Sequence, residues 1–503
     1  MNRGVSDKNV SRLNYFIPLC VAVATLTTST GTLARDVTLG GGIGVGYEFS
    51  DRQYDEDASS EQEQLDGTQP ITDNTDERYN RVRFSPLVTL TSTAARDEIV
   101  LRYSPSFRYD LENSDNNVDH DFLATYNRFI TESWQVKLSE KYLLTDYVYS
   151  RQTDETEDTA AVPADLVTET ELSDADNRRK YWVNDVSLRS DYVYWADSLF
   201  AVGYSNRILE NIDNGSNSNY EDYVRHEVFS EVIHRFSSIW QGSVSGSYIR
   251  GLFDEEAVEQ NAANPELTDF EKDLNEYRAA MAIRANLIDR QSQMLLYSFY
   301  GDDYDAKQRN NSTIHDMTLG WQWDISKESM FSLGAGPSYA KIEGSEGEWG
   351  YNGYMAGWLA FERGIINLSA NRGYERRNFT GTNDNGLREF WETRLTINYQ
   401  LLQYLSAGLY SSYRDEDEEV TLVVTPVAPD SEITAAADFD TETETFNRKR
   451  FSTGASLGYT FWQWYTATIS YDFIHQDSEK IDDSFDEHRI FVTLSYETDF
   501  FSW

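Results

Sequence analysis

The sequence has one cysteine in 503 residues, Cys20. It lies in the first apolar run, so the rest of the chain has no disulfide framework and no thiol chemistry. Proline is scarce at 9 residues, which suits a chain built mostly of hydrogen-bonded strands. After the first run, no stretch is long and apolar enough to be a spanning helix. Basic residues are outnumbered, 43 against 85 acids, and the formal charge of −42 excludes duplex nucleic acid as a partner. Aromatics are abundant, with 33 Tyr, 25 Phe and 12 Trp.

The opening segment predicts the compartment. Arg3, Lys8 and Arg12 form a basic stretch, residues 16–26 are apolar, and Thr32-Leu33-Ala34 ends in small residues. This is the pattern of a secretory signal over residues 1–34, cut between Ala34 and Arg35. Leu19 stands where a lipoprotein signal requires a small residue, so Cys20 is not expected to be lipidated.

The mature part, residues 35–503, alternates with period two. Val37, Leu39, Gly41, Ile43, Val45, Tyr47 and Phe49 share one parity, and Asp36, Thr38, Gly40, Gly42, Gly44, Gly46 and Glu48 share the other. Such alternation outlasts a typical soluble strand and suits one that crosses a bilayer obliquely. It recurs at 81–90, 99–110, 240–248, 277–287 and 489–496. Twenty such segments are legible, or eighteen if two weak ones merge. Tight connections near Ala95, Glu132, Ala196, Ser238, Asp289, Lys327, Arg363, Leu402 and Trp462 alternate with longer polar ones. Short turns at one end and long loops at the other predict an all-β, antiparallel, up-and-down transmembrane barrel with periplasmic turns and termini.

Tryptophan and charge support that polarity. Trp134, Trp195, Trp240, Trp323, Trp358, Trp462 and Trp464 fall at or beside the tight turns, and Trp182, Trp349 and Trp391 near the opposite ends. Indole favours the headgroup level, so two aromatic girdles are expected. Loops at 51–78, 150–180, 254–273 and 414–446 carry net charges of −8, −5, −7 and −10. The acidity therefore belongs to the outer mouth.

The motifs Gly44-Val45-Gly46-Tyr47-Glu48-Phe49, Phe84-Ser85-Pro86-Leu87 and Leu101-Arg102-Tyr103-Ser104-Pro105, with the hairpin from Tyr126-Asn127-Arg128 through Trp134 to Asp146, resemble the β-barrel porin 2 group. The likeness is clearest over residues 36–150. It implies an outer-membrane barrel and a link to exopolysaccharide systems, and assigns no catalytic residue. Trp503 departs from the expected pattern, being out of phase with Tyr496 unless residues 497–499 contain a bulge.

Candidate chemistry lies first in the lumen. Arg81, Arg83, Arg102, Arg108, Arg189, Arg207, Arg225, Arg250, Arg278, Arg284, Arg372, Arg394, Arg448 and Arg450 fall on or near the polar parity, with Asp110, Glu140, Asp185, Asp191, Glu227, Asp316 and Glu392. An arginine facing mid-bilayer lipid costs about 2–4 kcal/mol, so these are expected to point inward. There they either steer anionic solutes or pair across strands and stiffen the wall. Acidic runs such as 415–419 lack the ligand spacing of a dedicated calcium loop and are expected to be solvated loop. Among the six histidines, His475 beside Asp477, Ser478 and Glu479 is the best acid–base candidate, yet no nucleophile is positioned against it, so no enzyme and no cofactor or metal is expected.

The first strand begins just after the cleavage site, which leaves no room for an N-terminal plug. The expected function is a channel for polar or anionic solutes in the outer membrane of a Gram-negative bacterium. The rival is a non-conducting structural or binding barrel. Expected partners are outer-membrane lipid and lipopolysaccharide, the barrel-assembly machinery, and a periplasmic polysaccharide export protein.

Overall fold

The computed structural model describes residues 35–54, 77–112, 114, 116–145, 180–212, 221–253, 273–305, 310–380, 387–424, 440–479 and 483–503. The signal segment with Cys20 and most of the acidic stretches at 51–78, 150–180 and 254–273 lie outside the described residues. In chain order the strands are β1 (Asp36–Tyr54), β2 (Glu77–Thr93), β3 (Asp97–Tyr103), β4 (Ser106–Asp110), β5 (Asn116–Thr131), β6 (Trp134–Thr145), β7 (Tyr181–Trp195), β8 (Ser198–Asn211), β9 (Tyr223–Arg235) and β10 (Trp240–Phe253). They continue with β11 (Leu274–Ile288), β12 (Gln291–Tyr304), β13 (Ser312–Ser326), β14 (Ser329–Ile342), β15 (Glu348–Phe361), β16 (Gly364–Arg376), β17 (Leu387–Leu402), β18 (Leu405–Val424), β19 (Asp440–Phe461), β20 (Tyr465–Ser478) and β21 (Phe485–Ser502).

Successive strands pair antiparallel around the sheet, and β21 returns to β1 from Thr38↔Ser502 to Tyr54↔Phe485, closing a cylinder. β3 and β4 are halves of one crossing, because both hold the same register on β2 (Val88↔Tyr103, Phe84↔Phe107). That register sets Pro86 opposite Pro105. Neither has an N–H to donate, so the ladder lapses at that rung without losing register. The wall is therefore the expected twenty strands.

Tight turns fall where the sequence marks them. Several need left-handed backbone, as at Asp197 (φ 55°), Arg290 (φ 59°) and the adjacent Trp462 (φ 51°) and Gln463 (φ 68°). The consecutive positive φ values lie in the three-residue loop 462–464 between Phe461 and Tyr465. The C-terminal phase problem is resolved by a bulge. The β1–β21 register shifts between Leu39 and Gly40, opposite Asp499 and Phe501, so Phe501 faces outward and Trp503 bonds Val37 through both backbone groups (2.9 and 3.0 Å).

Large apolar side chains ring the outside. Ile43, Val88, Leu188, Val228, Val244, Met281, Leu319, Leu409, Ile469 and Val492 are all exposed. A face this apolar on every side demands a hydrocarbon surround, as a transmembrane barrel has. Serine, glycine and paired ions take the inner parity.

Two sequence expectations need correction here. Residues 414–424 and 440–446 are not loop, since β18 and β19 pair from Leu405↔Tyr459 to Val424↔Asp440. The wall also does not stay cylindrical throughout. Pairing of β15 with β16 ends at Gly353↔Arg372, whereas β16 and β17 stay paired to Arg376↔Leu387. Beyond the last β15 rung this hairpin parts from β15, stays paired to β18 as far as Leu387↔Glu419, and leans into the lumen. Leu387 packs with Ile314, Ala340 and Ile342 of the inner face of β13 and β14, flanked by Tyr374.

Candidate functional site

The site is the lumen and the hairpin tip that enters it at the long-loop end. After β16 the chain carries Asn378 and Phe379 across to the facing wall. Phe379 is buried in a cluster with Tyr181, Leu209, Tyr223, Ile249, Phe253, Leu274 and Tyr304, all inner-face residues of β7–β12. Its ring meets Tyr223 edge-on (centroids 5.2 Å) and stacks on Phe253 (5.7 Å), and the Tyr223 hydroxyl donates to its carbonyl (3.1 Å). Asn378 accepts from the Tyr304 hydroxyl (2.7 Å) and donates to Tyr300 (2.8 Å) and Glu276 (3.2 Å). Arg376 pairs with Asp302 at 2.8 Å. Burial without unmet polar demand fixes this tip in place.

Beside it stands an ionic cluster. Arg388 of β17 bonds Glu416 (3.0 Å) and Glu418 (2.8 Å) of β18, and Arg448 of β19 reaches Glu416 (3.1 Å) and Asp483 (2.7 Å). Arg414 bridges Glu416 (2.6 Å), Glu392 (3.3 Å) and Glu375. On the outer face of the same stretch Asp415 and Asp417 follow Tyr413, so this level stands above the apolar belt. Burial opposes the Glu416 charge, but Arg388, Arg414, Arg377 and Arg448 overcome it and hold the carboxyl well below the usual range. A second buried knot joins Glu487 to Arg52 (2.9 Å) and Arg489 (2.7 Å).

Most arginines expected in the lumen are there, and most are paired. Arg81 lies 3.8 Å from Asp110, Arg108 2.5 Å from Asp119, Arg189 2.7 Å from Asp191, Arg207 2.5 Å from Asp185, Arg225 3.1 Å from Glu227, Arg278 2.5 Å from Glu276 and Arg394 3.5 Å from Glu392. Arg83 bonds Ser85 and Ser106, Arg450 shares the inner parity, and Asp316 bonds Asn352. Arg102, Lys141 and Arg284 have no carboxylate partner among the described residues. Arg102 and Lys141 both flank Leu123 in register, so they stand about 10 Å apart on the inner wall below the tip.

Four placements differ from expectation. Arg250 lies opposite His226 on the outer face and bonds Asp273 (3.1 Å) and Asp305 (2.7 Å) at the long-loop rim. Arg372 also faces out, over the Tyr351 ring and 2.5 Å from Glu389. Both sit at the strand end above the belt, where an outward arginine meets solvent and carboxylates rather than lipid. Glu140 shares the outer parity of Leu138 and Tyr142 and is buried among its neighbours. Trp358 faces inward, opposite Met330 and Asn367, and leaves the girdle. The inner wall there also admits Tyr354, whose ring lies over Gly334; a Cβ at that glycine would come within 2.4 Å of it. Trp134, Trp240 and Trp323 face outward, and Trp195, Trp462 and Trp464 are exposed at the short turns.

His475 is in β20 and its contact is Asp486 (2.7 Å), with no hydroxyl bonded to it. The acidic run 415–419 splits by parity, with Glu416 and Glu418 buried inside. Arg388, Arg376, Glu416, Glu418 and Glu487 were missed by sequence reasoning although strand alternation marks most of them. Phe379 carried no signal, because it lies past the end of a strand.

No protein-family model matches the chain, and no curated protein matches it. Among solved structures it is similar to the FrpB iron transporter of Neisseria meningitidis, at 8% identity over 95% of this chain and 83% of that one with a TM-score of 0.49. It is also similar to a BenF-like porin from Pseudomonas fluorescens (10%, covering 92% and 99%, TM-score 0.41) and to Pseudomonas aeruginosa OpdQ (9%, 92% and 98%, TM-score 0.38). Likeness at this level says nothing of solute.

Proposed function

We propose that this chain is an outer-membrane channel of a Gram-negative bacterium, which passes polar or anionic solutes past a hairpin folded into its mouth. The observation that carries the reading is the contrast within the lumen. At the long-loop end charges are paired and apolar rings fill the wall, whereas below the tip Arg102, Lys141 and Arg284 face the interior without carboxylate partners among the described residues. Unpaired cations on a wet wall attract anions and raise their local concentration. The likeness to the porin 2 group extends the proposal to exopolysaccharide export, with a periplasmic export protein delivering the polymer and the barrel-assembly machinery inserting the wall. The packed tip also favours a second reading, a non-conducting barrel that serves as a surface structure.

Planar-bilayer recording tests the proposal. Anion-selective steps are expected, with the reversal potential in a KCl gradient moving toward the cation side in R102Q/K141Q. Silence from the native chain and from a chain lacking residues 377–386 would leave the structural barrel as the better account.

A further inference from the structure

All six histidines lie on the outer face of the wall, and four of them repeat one construction. Tyr103 bonds His120 (2.8 Å), Tyr204 bonds His226 (2.8 Å), Tyr297 bonds His315 (2.9 Å) and Tyr471 bonds His488 (2.8 Å), each through the tyrosine hydroxyl and Nδ1. In every case the tyrosine sits opposite the residue two beyond the histidine, at Tyr103↔Phe122, Tyr204↔Val228, Tyr297↔Met317 and Tyr471↔Ile490. Each pair belongs to strands joined at the long-loop end, so the four stand at one level around the barrel. That level is the upper aromatic girdle: His120, Leu144 and Trp182 form one transverse row, and His315, Tyr339 and Trp349 another.

Hydrogen-bond capacity shows what such a pair offers. If the tyrosine donates to Nδ1, Nε2–H is left as a donor; if Nδ1–H donates, the tyrosine O–H is left instead. In either tautomer one donor remains for the surroundings at headgroup depth. The outward arginines of this rim do not compete for the same ligand, since Arg78 is held by Glu112, Arg250 by Asp273 and Asp305, and Arg372 by Glu389.

We propose that the four Tyr–His pairs are docking points for the phosphate groups of the outer-leaflet lipid. The inference rests on the bilayer reading above. Phosphate oxygen is the acceptor that an anionic lipid presents at this depth, and the pairs supply fixed donors for it where the outward cation Lys341 supplies only a single charge beside the His315 row. Four equivalent points fasten lipid around the wall and leave the lumen untouched.

The test uses the full chain in nanodiscs that contain lipid A or the same lipid stripped of both phosphates, with bound lipid counted by native mass spectrometry after extraction. The native barrel retains the phosphorylated lipid in preference, by roughly two- to tenfold per site. Replacing both members of each pair, Y103F/Y204F/Y297F/Y471F together with H120F/H226F/H315F/H488F, keeps a ring at every position, removes every donor of the pairs and loses the preference. The same change at two of the four pairs, which halves the preferred lipid, serves if the full Phe variant does not assemble. Insertion is scored first by heat-modifiable migration. A chain that stays in solution overturns the bilayer reading together with this inference. A chain that inserts but holds both lipids equally, keeps its preference in the Phe variant, or binds a second copy in place of lipid overturns the inference alone.

Discussion

Replacing Phe379 with alanine removes the ring that the in-folded tip buries between Tyr223 and Phe253. Phenylalanine truncation in a packed environment costs about 3–5 kcal/mol. The wall does not bear this loss, because no wall pairing involves residue 379 and β16–β17 pairing ends at Arg376↔Leu387. The cost falls on the docked state of the tip. Even about 3 kcal/mol shifts the balance of docked and undocked tip by roughly a hundredfold. The remaining bonds, Tyr223 to the residue 379 carbonyl and the Asn378 contacts, survive the change in side chain but lose the apolar shield around them. Single-channel recording reads the outcome directly: openings of the larger conductance become frequent in F379A, while heat-modifiable migration and strand content stay those of the native barrel. Unchanged open-state occupancy in an intact F379A barrel would refute the idea that this tip controls the passage.

Two further outcomes follow from the same geometry. Arg388 sits between Glu416 and Glu418, so R388M leaves two buried carboxylates sharing Arg414 and Arg448 and lowers unfolding stability at pH 7, by less than the about 3–5 kcal/mol of a fully unpaired buried charge. The Glu416 carboxyl is depressed in the fold, so its contribution is complete above the ordinary carboxylate range and is lost progressively as pH falls from that range to the depressed value. The native urea midpoint should therefore stay level from neutral pH into mild acid, and its gap from R388M should close as both carboxyls protonate; a constant gap down to pH about 3 would count against the network. Trp358 points into the lumen, so W358F raises the fraction of tryptophan fluorescence quenched by brominated lipid, whereas W323F reduces it.

The barrel was legible because alternation is a property of single strands. Each crossing shows its two faces whatever its partner, and Asp197, Arg290 and Trp462 mark turns by position alone. The four displaced residues expose the limit of that signal. Parity says which side a residue takes but not how high it sits, and Arg250 and Arg372 satisfy both the outer parity and their charge by standing above the belt. Trp358 shows the converse, since nearness to a turn points to the girdle while its parity turns it inward. The run of acids in 414–446 has the composition of solvated loop, whereas alternate members of the run are buried against Arg388 and Arg448. Phe379 could not be found from the sequence. Its partners Tyr223 and Phe253 are more than a hundred residues away and belong to the opposite wall.

That last contact bears on how a wide barrel is managed. Barrels of eight strands fill their interiors with side chains, and barrels of sixteen to eighteen leave water inside. At twenty strands the opposite walls are too far apart for side chains to meet, so any closure needs backbone to enter the lumen. Here the backbone that enters is wall itself, a hairpin that gives up its pairing with β15 after Gly353↔Arg372 and keeps its pairing between β16 and β17 and between β17 and β18. The in-folded part is covered on its β18 side, and the uncovered edges are those of β15 at 348–352 and of β16 at 373–376. Its charge placement ties it to both sides: Glu375 on the tip is held by Arg414 on the wall and Arg376 by the buried Asp302 on the facing wall, while Phe379 supplies the apolar contact.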